Sequence, residues 1–153
     1  MSFEDWRRID VDQYDPENVY VEDELPDTRP NTSLQDIQSL TQTLRSSIQR
    51  MDIVNALKTA IENAPYGASE EVKDAFLHSV YEVFVSVKLS DINNFIGQFD
   101  IDSIDAIVKF VYVLMSKEWA LKQSSTLIVW LDRIVETVGD GPIVRYLSDP
   151  YKL

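Results

Sequence analysis

From residue 32 onward, apolar residues recur at three- and four-residue intervals, the period of one face of an α-helix. Leu34, Ile37, Thr41, Leu44, Ile48 and Met51 form the first such stripe, with Thr32 or Ser33 placed to cap it. Asp52 precedes a second, carrying Ile53, Leu57, Ala60 and Ile61, and Asn63-Ala-Pro65-Tyr-Gly67 ends it. Ser69 opens a long third stripe of Val72, Phe76, Val80, Val83, Phe84 and Val87. Ser90 is the expected cap of a short one with Ile92, Phe95, Ile96 and Phe99. Ser103 is the expected cap of the fifth, with Ile104, Ile107, Val108, Val111, Leu114 and Met115. Ser124 or Ser125 starts the sixth, with Leu127, Ile128, Leu131, Ile134, Val135 and Val138, and Gly139 stops it. Gly141-Pro142 restarts the chain with proline at a first helical position, giving a short helix over Ile143 to Leu147.

The pattern predicts about seven helices joined by short links, which favour antiparallel neighbours. The third, fifth and sixth are apolar around much of their girth and are expected at the centre. Phe84-Val-Ser-Val87 and Leu127-Ile-Val-Trp130 are rich in β-branched residues and leave a strand reading open, but helical spacing and flanking caps outweigh it. Only 4 glycines and 6 prolines in 153 residues suit helices better than a sandwich of short strands. The fold class is therefore all-α, a helical core domain over residues 32–153.

Residues 1–31 follow a different rule. They hold ten acids against three bases, a net charge of −7, and half of the chain's 6 prolines. Phe3, Trp6, Ile9, Val11, Tyr14, Val19, Tyr20 and Val21 are interleaved with the charges, whereas purely solvating tails are poor in aromatics. Ile9-Asp10-Val11-Asp12 alternates as an extended segment does. Fixing each backbone residue costs about 1–2 kcal/mol, more than so little apolar mass returns. The stretch reads as an extended acidic N-terminal arm that orders only against another surface. About 30 extended residues reach roughly 100 Å, enough to bridge two proteins.

Charge narrows the partners. The net charge is −12, with no run of Lys or Arg, so phosphate backbones and anionic membranes are poor complements and a basic protein surface a better one. There is no cysteine, hence no disulfide or zinc-thiolate site, which suits a cytosolic protein. The first twelve residues lack the apolar core of a signal peptide, and the longest apolar runs are too short to span a bilayer.

Candidate chemistry is sparse. His78, the only histidine, lies between Asp74 and Glu82 at four-residue spacing but off the apolar stripe, so a solvated surface role outweighs that of a general base. Asp10-x-Asp12 and Asp100-x-Asp102 begin like calcium loops. Tyr14 and Ile104 then occupy the third ligand position, and the glycine and closing glutamate are missing. An inter-helix turn is the better reading of Asp100 and Asp102. Gly139-Asp-Gly141-Pro142 lacks the lysine of a phosphate loop, and Glu62, Glu70, Glu71 and Asp74 lack histidine partners for a metal. No catalytic, cofactor-binding or metal residues are assigned. Trp119 and Trp130 sit among apolar neighbours and are expected in the core. Trp6 has no helix to hide in, and the cluster Trp6, Arg7, Arg8 and Tyr14 has the composition of a binding anchor.

Trp6-Arg7-Arg8-Ile9-Asp10-Val11-Asp12-Gln13-Tyr14-Asp15 also resembles the N-terminal signature of the smallest subunit family of the actin-related protein 2/3 complex. The resemblance continues in order through Glu71-Val72-Lys73-Asp74, Val85 to Ile92, Val129-Trp130 and Gly141 to Leu147, nearly the whole chain. Trp6 stands where animal members have Phe, and Leu25 to Arg50 lacks their glycine-rich acidic linker, so the pattern is closer to fungal members. The resemblance implies a non-catalytic structural subunit of a machine that nucleates branched actin filaments in the cytoplasm, at cortical actin patches. It implies an α/α superhelix-like core docked on the β-propeller subunit and a neighbouring core subunit. It further implies an arm that tethers the actin-related protein 2 subunit through Trp6, Arg7, Arg8, Ile9, Asp10, Val11, Asp12, Tyr14 and Asp15, with ATP bound by other subunits. Without the resemblance, the residues leave open a free adaptor whose acidic arm binds a basic surface.

Overall fold

The computed structural model describes residues 32–150 and Leu153; the acidic arm lies outside the described residues. Within them are seven α-helices and no strand: α1 Leu34–Gln49, α2 Ile53–Glu62, α3 Glu70–Ser86, α4 Ile92–Ile96, α5 Ile101–Ser116, α6 Ser124–Val138 and α7 Gly141–Ser148. A 3-10 helix, Glu118–Gln123, joins α5 to α6. Both β-branched stretches are helical, apart from Val87, which is the extended residue after α3.

The helix starts follow the side chains that can absorb orphan N–H groups. Ser33 and Asp36 form a reciprocal capping box on α1. Asp52 accepts from the Asn55 amide on α2, whereas at α4 the cap position falls to Asp91 and not to Ser90. At α5 the cap is Asp100, whose carboxylate accepts from the Ser103 amide at 3.1 Å. Ser103, the expected cap, is instead the third residue of the helix. Sequence spacing alone could not separate the two, since either side chain suits the position.

α1 lies against α2 and α3; α5 lies against α2, α3, α6 and α7; α4 lies against α6. The core runs continuously from Ile37 and Leu44 on α1, through Phe76, Val80 and Phe84 on α3, to Ile107, Phe110 and Leu114 on α5. Burying each large side chain contributes about 1.5–3 kcal/mol. Phe76 meets Phe110 edge-on, with ring centroids 5.7 Å apart. Phe84 meets Trp130 at 5.1 Å and 89°, and the Trp130 indole N–H donates to the Phe84 carbonyl oxygen.

α3 and α5 are central, as their girth predicts. α6 is not: it buries Leu127, Trp130 and Ile134, while Ile128 and Val138 face solvent. α1 is likewise one-sided, with Ile37, Leu40, Leu44 and Ser47 inward and Leu34 exposed.

The α1–α2 corner carries the one positive-φ residue other than glycine among the described residues, Met51 at 60°. The Met51 amide bonds back to the Ile48 carbonyl at 2.9 Å and the Asp52 amide to the Ser47 carbonyl at 3.0 Å. This helix-ending pair of bonds requires a left-handed residue between them, a place usually held by glycine.

Candidate functional site

The residues singled out as anchors, Trp6, Arg7, Arg8, Ile9, Asp10, Val11, Asp12, Tyr14 and Asp15, lie outside the described residues. The core that carries them can be followed residue by residue.

His78 is exposed on α3, but it is not simply solvated. Its ring lies flat on Trp119 of the 3-10 helix, with centroids 3.7 Å apart and planes at 19°. Tyr81 meets the same indole edge-on at 5.4 Å. One turn before His78, Asp74 accepts from the Lys117 ammonium at 2.6 Å. One turn after it, Glu82 takes both arms of the Arg45 guanidinium at 2.7 and 2.8 Å. Both carboxylates that could have served a catalytic histidine are thus engaged by cations. The group is a clamp of α1 and the 3-10 helix onto α3. Trp119 is half-buried and belongs to this clamp rather than to the sealed core.

Beside the clamp, the Thr41 and Ser79 hydroxyls share a hydrogen bond of 2.7 Å across α1 and α3. This explains Thr41 on an otherwise apolar stripe: the hydroxyl is paired where it is partly buried.

A polar cleft lies between α5 and α7. Lys109 is buried, pairs with Asp149 and sits 4.7 Å over the Tyr66 ring. Arg145 grips Asp105 with two bonds, at 2.5 and 2.8 Å, and Tyr112 stacks on Tyr146 at 4.7 Å. Nothing in the sequence announces Lys109, because a lysine between Val108 and Phe110 is only a gap in the apolar stripe. The cleft walls pair anion with cation across two helices, so its geometry is that of a fastening. Among the described residues no group of three or more His, Cys, Asp or Glu side chains converges as a metal site would require. Nor is any helix among them long and apolar enough to cross a membrane.

The titrating groups report the same architecture. The Arg45 hydrogen bonds hold the Glu82 carboxyl below its ordinary range. Bonds from Ser103 do so for Asp100, and bonds from Ser33 for Asp36. Arg145 and Arg45 are pushed upward by Asp105 and Glu82. A carboxyl depressed on folding stabilises the fold above its unfolded value, near about pH 4, and that stabilisation fades as pH falls through the folded value. Denaturant midpoints are therefore expected to be flat above about pH 5 and to fall below about pH 4. The Glu82→Gln variant should show a shallower acid fall than wild type; an equal fall would remove the clamp from the account.

Against this geometry, the family profile described as ARP2/3 complex 16 kDa subunit (p16-Arc) matches residues 5–152. The chain belongs to this family. It is 35% identical over 147 residues to actin-related protein 2/3 complex subunit 5 of Saccharomyces cerevisiae, covering 95% of this chain and 96% of the relative. Subunit 5-C of the same complex in Xenopus laevis is 25% identical over 144 residues, with 94% and 91% covered. A subunit 5-like protein of Homo sapiens is 24% identical over 148 residues, with the same shares covered. The p16-Arc match takes in the cluster from Trp6 to Asp15 together with the helical core.

Proposed function

We propose that this chain is a non-catalytic structural subunit of the actin-related protein 2/3 complex, cytoplasmic and acting in branched actin nucleation. The observation that carries the reading is the match to the p16-Arc family over residues 5–152. The chemistry of the core supports it. Among the described residues His78, Asp74, Glu82, Lys109 and Arg145 are each engaged in joining helices, a use of charged side chains that suits a structural subunit.

In this reading the helical core, residues 32–153, docks on the propeller subunit and a neighbouring core subunit. The acidic arm, residues 1–31, reaches the actin-related protein 2 subunit and holds it near the rest. Trp6, Arg7 and Arg8 with Ile9 to Asp12, Tyr14 and Asp15 form its contact segment. The exposed apolar side chains of α6 and α7, Ile128, Val144 and Leu147, are consistent with a core that is not solvated on every side in its working state.

The test is a pull-down of the tagged full chain from native extract, with size-exclusion of the same material. The other subunits should co-purify in near-equal amounts, in a peak far larger than 17.6 kDa. Elution as a free monomer without actin-related partners would sink the proposal in favour of a free adaptor.

A further inference from the structure

An aspartate at a helix N-cap ordinarily has its carboxylate engaged by an amide two or three residues on. Asp52 and Asp100 are held in this way, and each is followed by a β-branched isoleucine that crowds the next amide. Asp140, at the start of α7, differs on every count. It is exposed, its carboxylate makes no cap bond, and the next residue is Gly141, whose nitrogen no side chain shields. Gly139 on its other side has a φ of 79°. No other Asp or Asn in the chain precedes a glycine. What restrains the pair is the fold. At a ψ of −7° the Gly141 nitrogen lies close to the Asp140 nitrogen and not over the carboxyl group. The Ile143 and Val144 amides fix that geometry by bonding to the Asp140 carbonyl at 3.0 and 3.2 Å. They form the first turn of α7, whose eight residues are too few for a helix stable on its own. α7 therefore depends on its fastenings to α5: Arg145 to Asp105, the Tyr146 stack on Tyr112, and Asp149 to Lys109.

We propose that Asp140-Gly141 is a self-modification site, an aspartate that isomerises when α7 lifts from α5 and so records the time the helix has spent undocked. Opening the first turn frees rotation about the Asp140 Cα–C bond. The Gly141 nitrogen then attacks Cγ of the protonated carboxyl. The N–Cγ bond forms, the Cγ–OH bond breaks, and the hydroxyl leaves as water with the amide proton, closing a five-membered succinimide. Water adds back at one of its two carbonyls. Addition at Cγ restores aspartate. Addition at the main-chain carbonyl breaks the old peptide bond and leaves Gly141 joined through Cγ, an isoaspartyl link of unchanged mass. The main chain then runs through Cβ and Cγ, and the former carbonyl becomes a free carboxylate. The acceptor for Ile143 and Val144 has left the backbone, so the first turn of α7 no longer closes and the helix no longer returns to its seat on α5.

The test is to age the full-length chain at body temperature in mildly acidic buffer, where more of the carboxyl is protonated. An isoaspartyl-specific carboxyl methyltransferase with labelled S-adenosylmethionine reads the product, and peptide mapping locates it. Label is expected at Asp140 at least about tenfold faster than at Asp102-Ser103, which lies inside α5 and opens less often. In urea the Asp140 rate should rise by roughly 10- to 100-fold, because undocking no longer limits it. Asp105→Asn, which weakens the grip on Arg145 and leaves the corner untouched, should speed the folded chain by about two- to fivefold. Asp140→Glu, which would need a six-membered ring, should take no label at this position and keep the wild-type denaturation midpoint. Labelling at Asp140 no faster than at Asp102, or persisting in Asp140→Glu, overturns the site. A folded rate equal to that in urea, or one unmoved by Asp105→Asn, overturns the gating by α7.

Discussion

Replacing Trp130 by alanine is expected to cost the core about 3–5 kcal/mol, the range for deleting a large buried aromatic. The side chain is fully buried on α6, where it is one of three buried residues that hold that helix to the rest. Three losses add. The apolar surface of the indole is no longer removed from water. The edge-on contact with Phe84 disappears, and with it the Phe84 carbonyl loses the N–H that reaches it at 3.4 Å. The void left behind is bounded by helices that cannot all move inward, because α6 is tied at both ends to short links. Trp130→Phe keeps much of the ring contact and loses the hydrogen bond and part of the volume, so its cost should fall between alanine and wild type. Urea denaturation of the full chain, followed by far-ultraviolet circular dichroism, measures both. An alanine variant within about 1 kcal/mol of wild type would mean that α6 is not fastened through this residue.

Such an effect is legible in the sequence only in part. The number and order of the helices follow from the spacing of residues such as Phe76, Val80 and Val83, because a face that must be buried repeats at the helical period. The class of the fold follows from that. What the spacing cannot tell is which apolar residues are surplus. Ile128 and Val138 on α6 have the same chemistry as Leu127 and Ile134, and only the neighbours decide that the first two stay in water. Lys109 shows the converse. Its burial depends on Tyr66 and Asp149, 43 and 40 positions away, and no local pattern announces them. The choice of Asp100 over Ser103 as cap and the stacking of His78 on Trp119 are likewise settled by where the chain turns, not by residue type. By spacing Met51 is the last member of an apolar stripe, yet the helix ends two residues earlier and Met51 is exposed.

The candidate site divides in the same way. One histidine, no cysteine and scattered carboxylates point to no particular chemistry, and the pairing of Asp74, Glu82 and Asp105 with cations gives those carboxylates a structural use that the sequence does not announce. The proposal of an anchor around Trp6 rests on composition alone, aromatics interleaved with acids and prolines, and its residues lie outside the described ones. Its partner is not written in the chain, since buried core and buried interface share a composition.

Deleting residues 1–21 is therefore expected to separate folding from assembly. The core from Thr32 onward keeps all seven described helices and every contact just argued, so its denaturation midpoint should stay within about 0.5 kcal/mol of the full chain, as for changes outside packed structure. Assembly should respond very differently. A flexible link turns a second binding event into an intramolecular one at an effective concentration of about millimolar, and loss of such a link weakens the combined hold by about a hundredfold or more. The actin-related protein 2 subunit should then wash out of complexes that still contain the truncated chain. Trp6→Ala in the full chain should reproduce much of that loss, as truncating a tryptophan hot spot does, again without moving the midpoint. Because the proposed contact segment, Trp6 to Asp15, carries Arg7 and Arg8 beside the three acids Asp10, Asp12 and Asp15, its hold should weaken as salt is raised. Subunit retention measured by mass spectrometry across a salt series decides the matter. A truncated chain that holds the subunit as firmly as the intact one at every salt concentration would remove the arm from the tethering role.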